Sequence, residues 1–365
     1  DLGKVKAHTS LLGFGCMRLP KKEDGKIDRN ETFKLLDTAY DRGVNYYDTA
    51  YPYHAGESEL VVGEWLKTKD RSSIYLATKL PMMRVTKEEQ VASFFHEQLE
   101  KLQTDYFDFY LVHALNAKSY QTLKELGVYE KLNEYKKQGK IKRLGFSFHD
   151  SFEVFKDIIT SYDWDFCQIQ YNYFDTDYQA GDKGYELAKS LGIPMTIMEP
   201  IRGGLLAKVP RDVRTIFDEV HPEYSDASFA LRWVADHENV ACVLSGMSSY
   251  DQVMDNLTTF DTLVPFTEKD YTTYKKAKLI FDERQRVKCT GCRYCMPCPF
   301  GVNIPDVFKR YNEESLFDIN NKERYLGMSD EAKASNCRNC RACVSKCPQN
   351  LEIPELLRQV KEHFE

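Results

Sequence analysis

The stretch Ser10–Met17, "SLLGFGCM", decides between two folds. It is the first short apolar run of the chain and carries two glycines one residue apart. A doubly wound open sheet places a complete G-x-G-x-x-G phosphate loop after its first strand. "GFGCM" does not complete that pattern. The two glycines therefore ask for another explanation than a phosphate turn.

Working outward, seven further apolar runs follow: "GVNYYDT", "SIYLATKL", "YFDFYLVHA", "IKRLGFSF", "DFCQIQYN", "IPMTIMEP" and "VACVLSG". Amphipathic segments lie between them, among them "NETFKLLDTAYDRG", "KEEQVASFFHEQLEKLQ" and "KSYQTLKELGVYEKLNEYKKQG". In the last, Leu123, Leu126, Tyr129 and Leu132 recur at helical spacing, which predicts one helix ending at Gly139. Strand–helix alternation repeated eight times within about 250 residues is what a (β/α)8 TIM barrel of the α/β class requires.

Composition narrows the function. The 365 residues are 29% charged and 42% hydrophobic, with a net charge of −6 spread along the chain. No basic patch suggests nucleic acid or a membrane surface, and no apolar run approaches the roughly 20 residues of a membrane-spanning helix. The first residues, "DLGKVKAHTS", lack the apolar core of a signal peptide. Eight of the eleven cysteines crowd into two short groups, leaving Cys16, Cys167 and Cys242 scattered. Clustering of this kind in a long chain favours metal ligation in a reducing compartment over disulfides. A cytoplasmic location is expected.

In a barrel, polar residues at strand C-termini face the active site. Asp48, Lys79, His113 and Ser147 each close a different strand, and Tyr53 follows Asp48 on the next loop. Taken singly, a buried Asp, Lys or His is more often structural than catalytic. Together they suit proton delivery to an oxygen. A phenol near pKa 10 is a weak acid catalyst, an adjacent ammonium lowers that value, and a carboxylate holds the ammonium in place.

The strings "YYDTAYPYHAGESE", "ATKL", "LVHA", "LGFSFHD" and "QIQYN" resemble the aldo/keto reductases, in order and separation, over roughly residues 10–260. The resemblance implies Tyr53 as general acid, Lys79 as its pKa modifier, Asp48 as the partner of Lys79, and His113 as the carbonyl-orienting group. It also implies an NAD(P)H site. Ser147 and Gln168 would meet the nicotinamide carboxamide, with Gly15 and Met17 alongside, and Met198 stands where an aromatic ring often stacks. Glu199, Pro200, Gly203 and Gly204 would strap the pyrophosphate. In "LSGMSSYDQVMDNL" many members carry basic residues for a 2′-phosphate; here Ser248, Ser249, Gln252 and Asn256 stand instead. Either NADH is tolerated, or nucleotide binding is weak, or electrons come from elsewhere, or basic residues arrive from another loop. Arg18 is open to two readings, a contact for a substrate carboxylate or an exposed loop charge.

The second cysteine group, Cys337, Cys340, Cys343 and Cys347 before Pro348, has the C-x2-C-x2-C-x3-C-P spacing of two-cluster ferredoxins. The first, Cys289, Cys292, Cys295 and Cys298 before Pro299, is one residue shorter before its last cysteine. Because the fourth thiolate of such a run ligates the other cluster, two [4Fe-4S] clusters are expected. One would use Cys289, Cys292, Cys295 and Cys347, the other Cys337, Cys340, Cys343 and Cys298. All-thiolate zinc sites are the competing reading; the third cysteine at the same spacing and the Cys-Pro endings weigh against it. "GVNIPDVF" and "NLEIPELL" follow the groups in parallel, as in an internal duplication, and the long separation reads as inserted helices.

A reductase barrel followed by a small ferredoxin-like iron–sulfur domain resembles the ferredoxin-containing branch of the aldo/keto reductases. The expected division is barrel 1–262, linking helix 263–286 and iron–sulfur domain 287–365. Three functions compete. The first is NAD(P)H-dependent reduction of a small carbonyl or conjugated compound. The second is a one-electron reductase fed by a ferredoxin or another low-potential donor. The third is an electron carrier or redox sensor with a non-catalytic barrel, which the complete set of four catalytic residues disfavours.

Overall fold

The computed structural model describes residues 7–289, 291, 293–347 and 349–365. Eight strands run parallel: β1 (Leu12–Gly15), β2 (Tyr46–Asp48), β3 (Tyr75–Leu80), β4 (Phe107–Leu115), β5 (Ile141–Phe148), β6 (Phe166–Gln170), β7 (Met195–Met198) and β8 (Val240–Ser245). Each pairs with its successor and β8 returns to β1, so the sheet closes into a barrel.

The glycines of "GFG" are barrel parts. A Cβ at Gly13 would come within 2.5 Å of Cys242 Sγ and 2.9 Å of Leu244, so only a bare backbone fits between the strands. The interior around it is filled by Tyr46, Ala77, Phe109, Leu111, Phe166, Cys242 and Leu244. Tyr46 and Phe166 both lean on Phe109, with ring centroids 4.9 and 5.0 Å away. A larger apolar layer joins the outer face of the strands to the surrounding helices. Cys16, Cys167 and Cys242 are all buried, and burial pushes their thiols up. They act as small apolar side chains.

The segment expected as one helix to Gly139 is two, Ala117–Glu125 and Val128–Lys137. Gly127 lies between them at φ 58°, a left-handed turn that glycine adopts without strain. The apolar spacing survives the break, which is why the pattern alone does not reveal it.

The chain divides into two compact units, one formed by residues up to Ala207 with Tyr224–Pro265, the other by Lys208–Glu223 with Phe266–Glu365. The second unit therefore takes in residues 208–223, which a division along the sequence leaves in the barrel. The reason is local packing. Phe217 of the helix Arg211–Asp218 meets Tyr274 of the helix Glu268–Arg284 at 5.8 Å, and His221 Nε2 lies 2.9 Å from Asp270 Oδ1. In the same unit the helices Ile304–Phe317 and Ile353–Phe364 each begin with Ile-Pro, proline being pre-set for a first helical turn. Both contribute to a core of Val287, Val302, Phe308, Tyr325, Leu357 and Phe364, against which the cysteine loops pack. Among the described residues, no helix is long and apolar enough to cross a membrane.

Candidate active site

β2 ends on Asp48, β3 carries Lys79 one residue before its end, and register brings the two strands side by side through the Asp48–Ala77 pair. The Lys79 ammonium is fully buried and donates to Asp48 Oδ1 at 2.6 Å and to the Thr49 carbonyl at 2.7 Å. Two charges removed from water in this way persist only as a pair. Burial opposes the charge on Lys79, but Asp48 and then Tyr53 outweigh it and hold the ammonium protonated. Burial likewise pushes Asp48 up, against the pull of Lys79.

Tyr53 lies on the loop after β2, with the ammonium 5.0 Å from its ring centroid. The expectation that Lys79 lowers this phenol is met only in direction of pull. Burial raises it, Lys79 pulls it down, and the net displacement is upward. The phenol accordingly keeps its proton at neutral pH, the state a proton donor needs. His113 meets Tyr53 edge-on, ring centroids 6.0 Å apart. Burial, then Lys79 and His149, push the imidazole down to about 3, so it is neutral. Its Nδ1 is buried without a hydrogen-bond partner among the described residues.

The β4–β5 pairing shifts register between Val112 and Leu115, and Ala114 adopts φ 51°. This irregularity turns the Ala114 N–H onto Ser147 Oγ at 2.7 Å. With its oxygen accepting there, the Ser147 hydroxyl proton remains for another acceptor. Gln168 is the direct β5–β6 register partner of Ser147. Its Nε2 contacts Met198 Sδ at 3.5 Å, while its Oε1 is buried and unpartnered among the described residues. One hydroxyl donor beside one orphan acceptor is the complement of a carboxamide, so the residues present fit a nicotinamide.

The remaining nucleotide candidates separate. Gly203 and Gly204 follow β7 with φ 64° and 101°, next to buried Pro200, and Gly15 ends β1 beside Ser245, with exposed Met17 just beyond. Asn256 turns inward and donates to Ser245 Oγ at 2.8 Å. Gln252 Oε1 accepts from the Ser248 N–H, and Ser248 Oγ donates to the Arg18 carbonyl at 2.7 Å.

Several further residues support the site through contacts that the sequence does not announce. His54 Nε2 accepts from the Leu19 N–H at 3.1 Å, and Ser58 Oγ donates to the Cys16 carbonyl at 3.0 Å, so the loop after β2 holds the loop after β1. Buried Glu59 accepts from Thr78 and Gln98, and Gln98 also donates to the Lys79 carbonyl at 3.0 Å. Glu59 ends the string "YYDTAYPYHAGESE", but no motif marks Gln98 or announces that the two meet; only the fold brings them under β3.

In the second unit a cavity is lined by Cys289, Cys295 and Cys347, walled by Ile304, Phe308 and Leu351. The Gly291 N–H points to Cys289 Sγ at 3.4 Å. Cys343 is pushed up by burial and by the neighbouring thiols of Cys337, Cys340 and Cys298. In each case described thiols of one run lie near the last cysteine of the other. Cys292 and Pro348 lie outside the described residues. Among the described residues no three acidic, cysteine or histidine side chains converge as ligands of a single ion. All-thiol sets spread around apolar walls fit iron–sulfur clusters in their donor chemistry.

Comparison with known proteins agrees with both halves. The Aldo/keto reductase family profile matches residues 11–278, and that of a 4Fe-4S dicluster domain matches residues 288–352. The uncharacterized oxidoreductase YqkF of Bacillus subtilis is 26% identical over 293 residues, 70% of this chain and 89% of its own. The NADH-specific methylglyoxal reductase of Escherichia coli is 23% identical over 307 residues, 70% and 91% of the two chains. Among solved structures, the holo form of aldo-keto reductase AKR11C1 from Bacillus halodurans superposes with a TM-score of 0.64 at 26% identity, covering 76% of this chain and 95% of its own. The chain belongs to the aldo/keto reductase family of oxidoreductases, and its C-terminal part is a 4Fe-4S dicluster domain.

Proposed function

We propose that this oxidoreductase reduces the carbonyl group, or a conjugated double bond, of a small organic molecule at the barrel mouth, with Tyr53 as proton donor. The buried Lys79–Asp48 pair beneath the Tyr53 ring carries this reading. It puts a fixed positive charge next to a protonated phenol, where negative charge on a substrate oxygen would develop. Neutral His113 would accept or donate one hydrogen bond to orient that oxygen. A bound nicotinamide would supply the hydride, and Ser147 and Gln168 would hold its carboxamide. The balance is one hydride to carbon and one proton to oxygen, with the dinucleotide oxidised.

A second reading rests on the cysteine runs. Their only charged residues are Arg293, Arg338, Arg341 and Lys346, all basic and exposed in a chain of net charge −6, with Arg341 paired to Glu352 at 2.7 Å. Such a shell favours an acidic electron carrier. We assign two [4Fe-4S] clusters to the crossed cysteine sets, which would supply single electrons. Two reduced carriers and one proton would then replace the hydride, the second proton still coming from Tyr53.

The experiment is anaerobic turnover by the cluster-loaded protein. Methylglyoxal and aromatic aldehydes are offered with NADH, with NADPH, or with a reduced ferredoxin-type carrier. Dinucleotide-dependent alcohol formation is expected. Product with the carrier alone would replace the first reading by the second, and no product with any donor would sink both.

A further inference from the structure

The helix Tyr250–Asp261 begins without a basic residue, yet a cation does reach this side of the mouth from another loop. Arg18 follows β1. Its aliphatic stem lies along Gly246 at the end of β8, where a Cβ would meet Arg18 Cβ at 3.4 Å and Cγ at 3.6 Å. Its guanidinium crosses to the loop after β7, with Nη2 3.5 Å from where a Cβ of Gly203 would sit. The side chain is exposed and enters no ion pair among the described residues. The other arginine of this region, Arg202, is committed to Asp175 at 3.0 Å and stacks over Phe174.

The loop carrying Arg18 is fixed on both sides, by Ser248 Oγ on its carbonyl and by His54 on the next N–H. Beside the guanidinium, Gly203 and Gly204 offer bare backbone, and nothing stands within 4 Å of a Cβ at Gly204. Bare peptide and a pre-positioned planar cation together match an anionic phosphate rather than an apolar group.

We propose that Arg18 clamps the pyrophosphate of the dinucleotide, binding NADH and NADPH alike. This rests on the hydride reading above. The pyrophosphate is favoured over the 2′-phosphate because Ser248 and Gln252 at the start of Tyr250–Asp261 are spent on each other and on Arg18. The clamp therefore reads a group the two coenzymes share.

Equilibrium binding of NADH, NADPH and ADP-ribose to the full-length cluster-loaded protein tests this, with Arg18→Ala and Arg18→Lys beside wild type. Wild type is expected to bind both dinucleotides within a few-fold of each other. Arg18→Ala should weaken all three ligands by about 10- to 100-fold, as loss of a charge-assisted contact does. Arg18→Lys should recover part, keeping the charge without the fork. Unchanged affinities in Arg18→Ala overturn the clamp, as does a loss confined to NADPH, or one seen only in the KM of acidic substrates. Failure of wild type to bind either dinucleotide removes the hydride reading itself, before any variant is compared.

Discussion

Tyr53→Phe is expected to lower kcat for aldehyde reduction by about 10²- to 10⁴-fold, the usual contribution of a positioned general acid. The ring keeps its edge-on contact with His113 and its place over Lys79, so the substitution removes one hydroxyl from an otherwise intact packing arrangement. Dinucleotide affinity and melting temperature should therefore stay close to wild type while turnover collapses. The buried ammonium explains the size of the loss. Without the phenol, Lys79 can offer the developing oxyanion its third N–H, but its bonds to Asp48 and the Thr49 carbonyl hold it in the charged state, so it gives up no proton. Neutral His113 is a poor substitute, since an imidazole held near 3 carries no spare proton at neutral pH. Full activity in Tyr53→Phe would remove Tyr53 from the chemistry.

Cys298→Ala is expected to cost the protein about half its iron, and the lost cluster should be the one built on the other cysteine run. Cys298 closes the first run in sequence, yet its thiol acts on Cys343 together with Cys337 and Cys340. The cavity of the first run closes instead with Cys347. The crossing makes a specific double-variant pattern. Cys298→Ala combined with Cys340→Ala should lose no more iron than either alone, because both strike one cluster. Combined with Cys289→Ala it should lose nearly all. Iron content and the cluster absorption bands read this directly, and the reverse pattern would mean that each run holds its own cluster.

Much of the barrel and its mouth is legible in the amino-acid sequence. Eight apolar runs and the residues closing them point to the barrel, and Asp48, Tyr53, Lys79 and His113 do meet at one mouth. That succeeds because barrel topology turns position along a strand into position in space. What stays hidden depends on contacts between distant segments. Arg18 reads equally well as a substrate contact or a loop charge until Gly203 and Gly246 are seen beside it. Gly127 splits a helix whose apolar spacing runs on unbroken. The net upward displacement of Tyr53 depends on how deeply the phenol is buried, which no motif states. Residues 208–223 join the second unit through Phe217 and His221, contacts that no pattern within the segment announces.

Hydride and proton are proposed to reach the substrate separately, the first from a dinucleotide and the second from Tyr53. NADH carrying two deuterons at nicotinamide C4 separates the two paths when its label is followed through anaerobic aldehyde reduction in ordinary water. One deuterium is expected on the former carbonyl carbon of the alcohol, with the hydroxyl proton drawn from solvent. Alcohol formed at the same rate with only solvent hydrogen on that carbon would rule out hydride transfer from the dinucleotide.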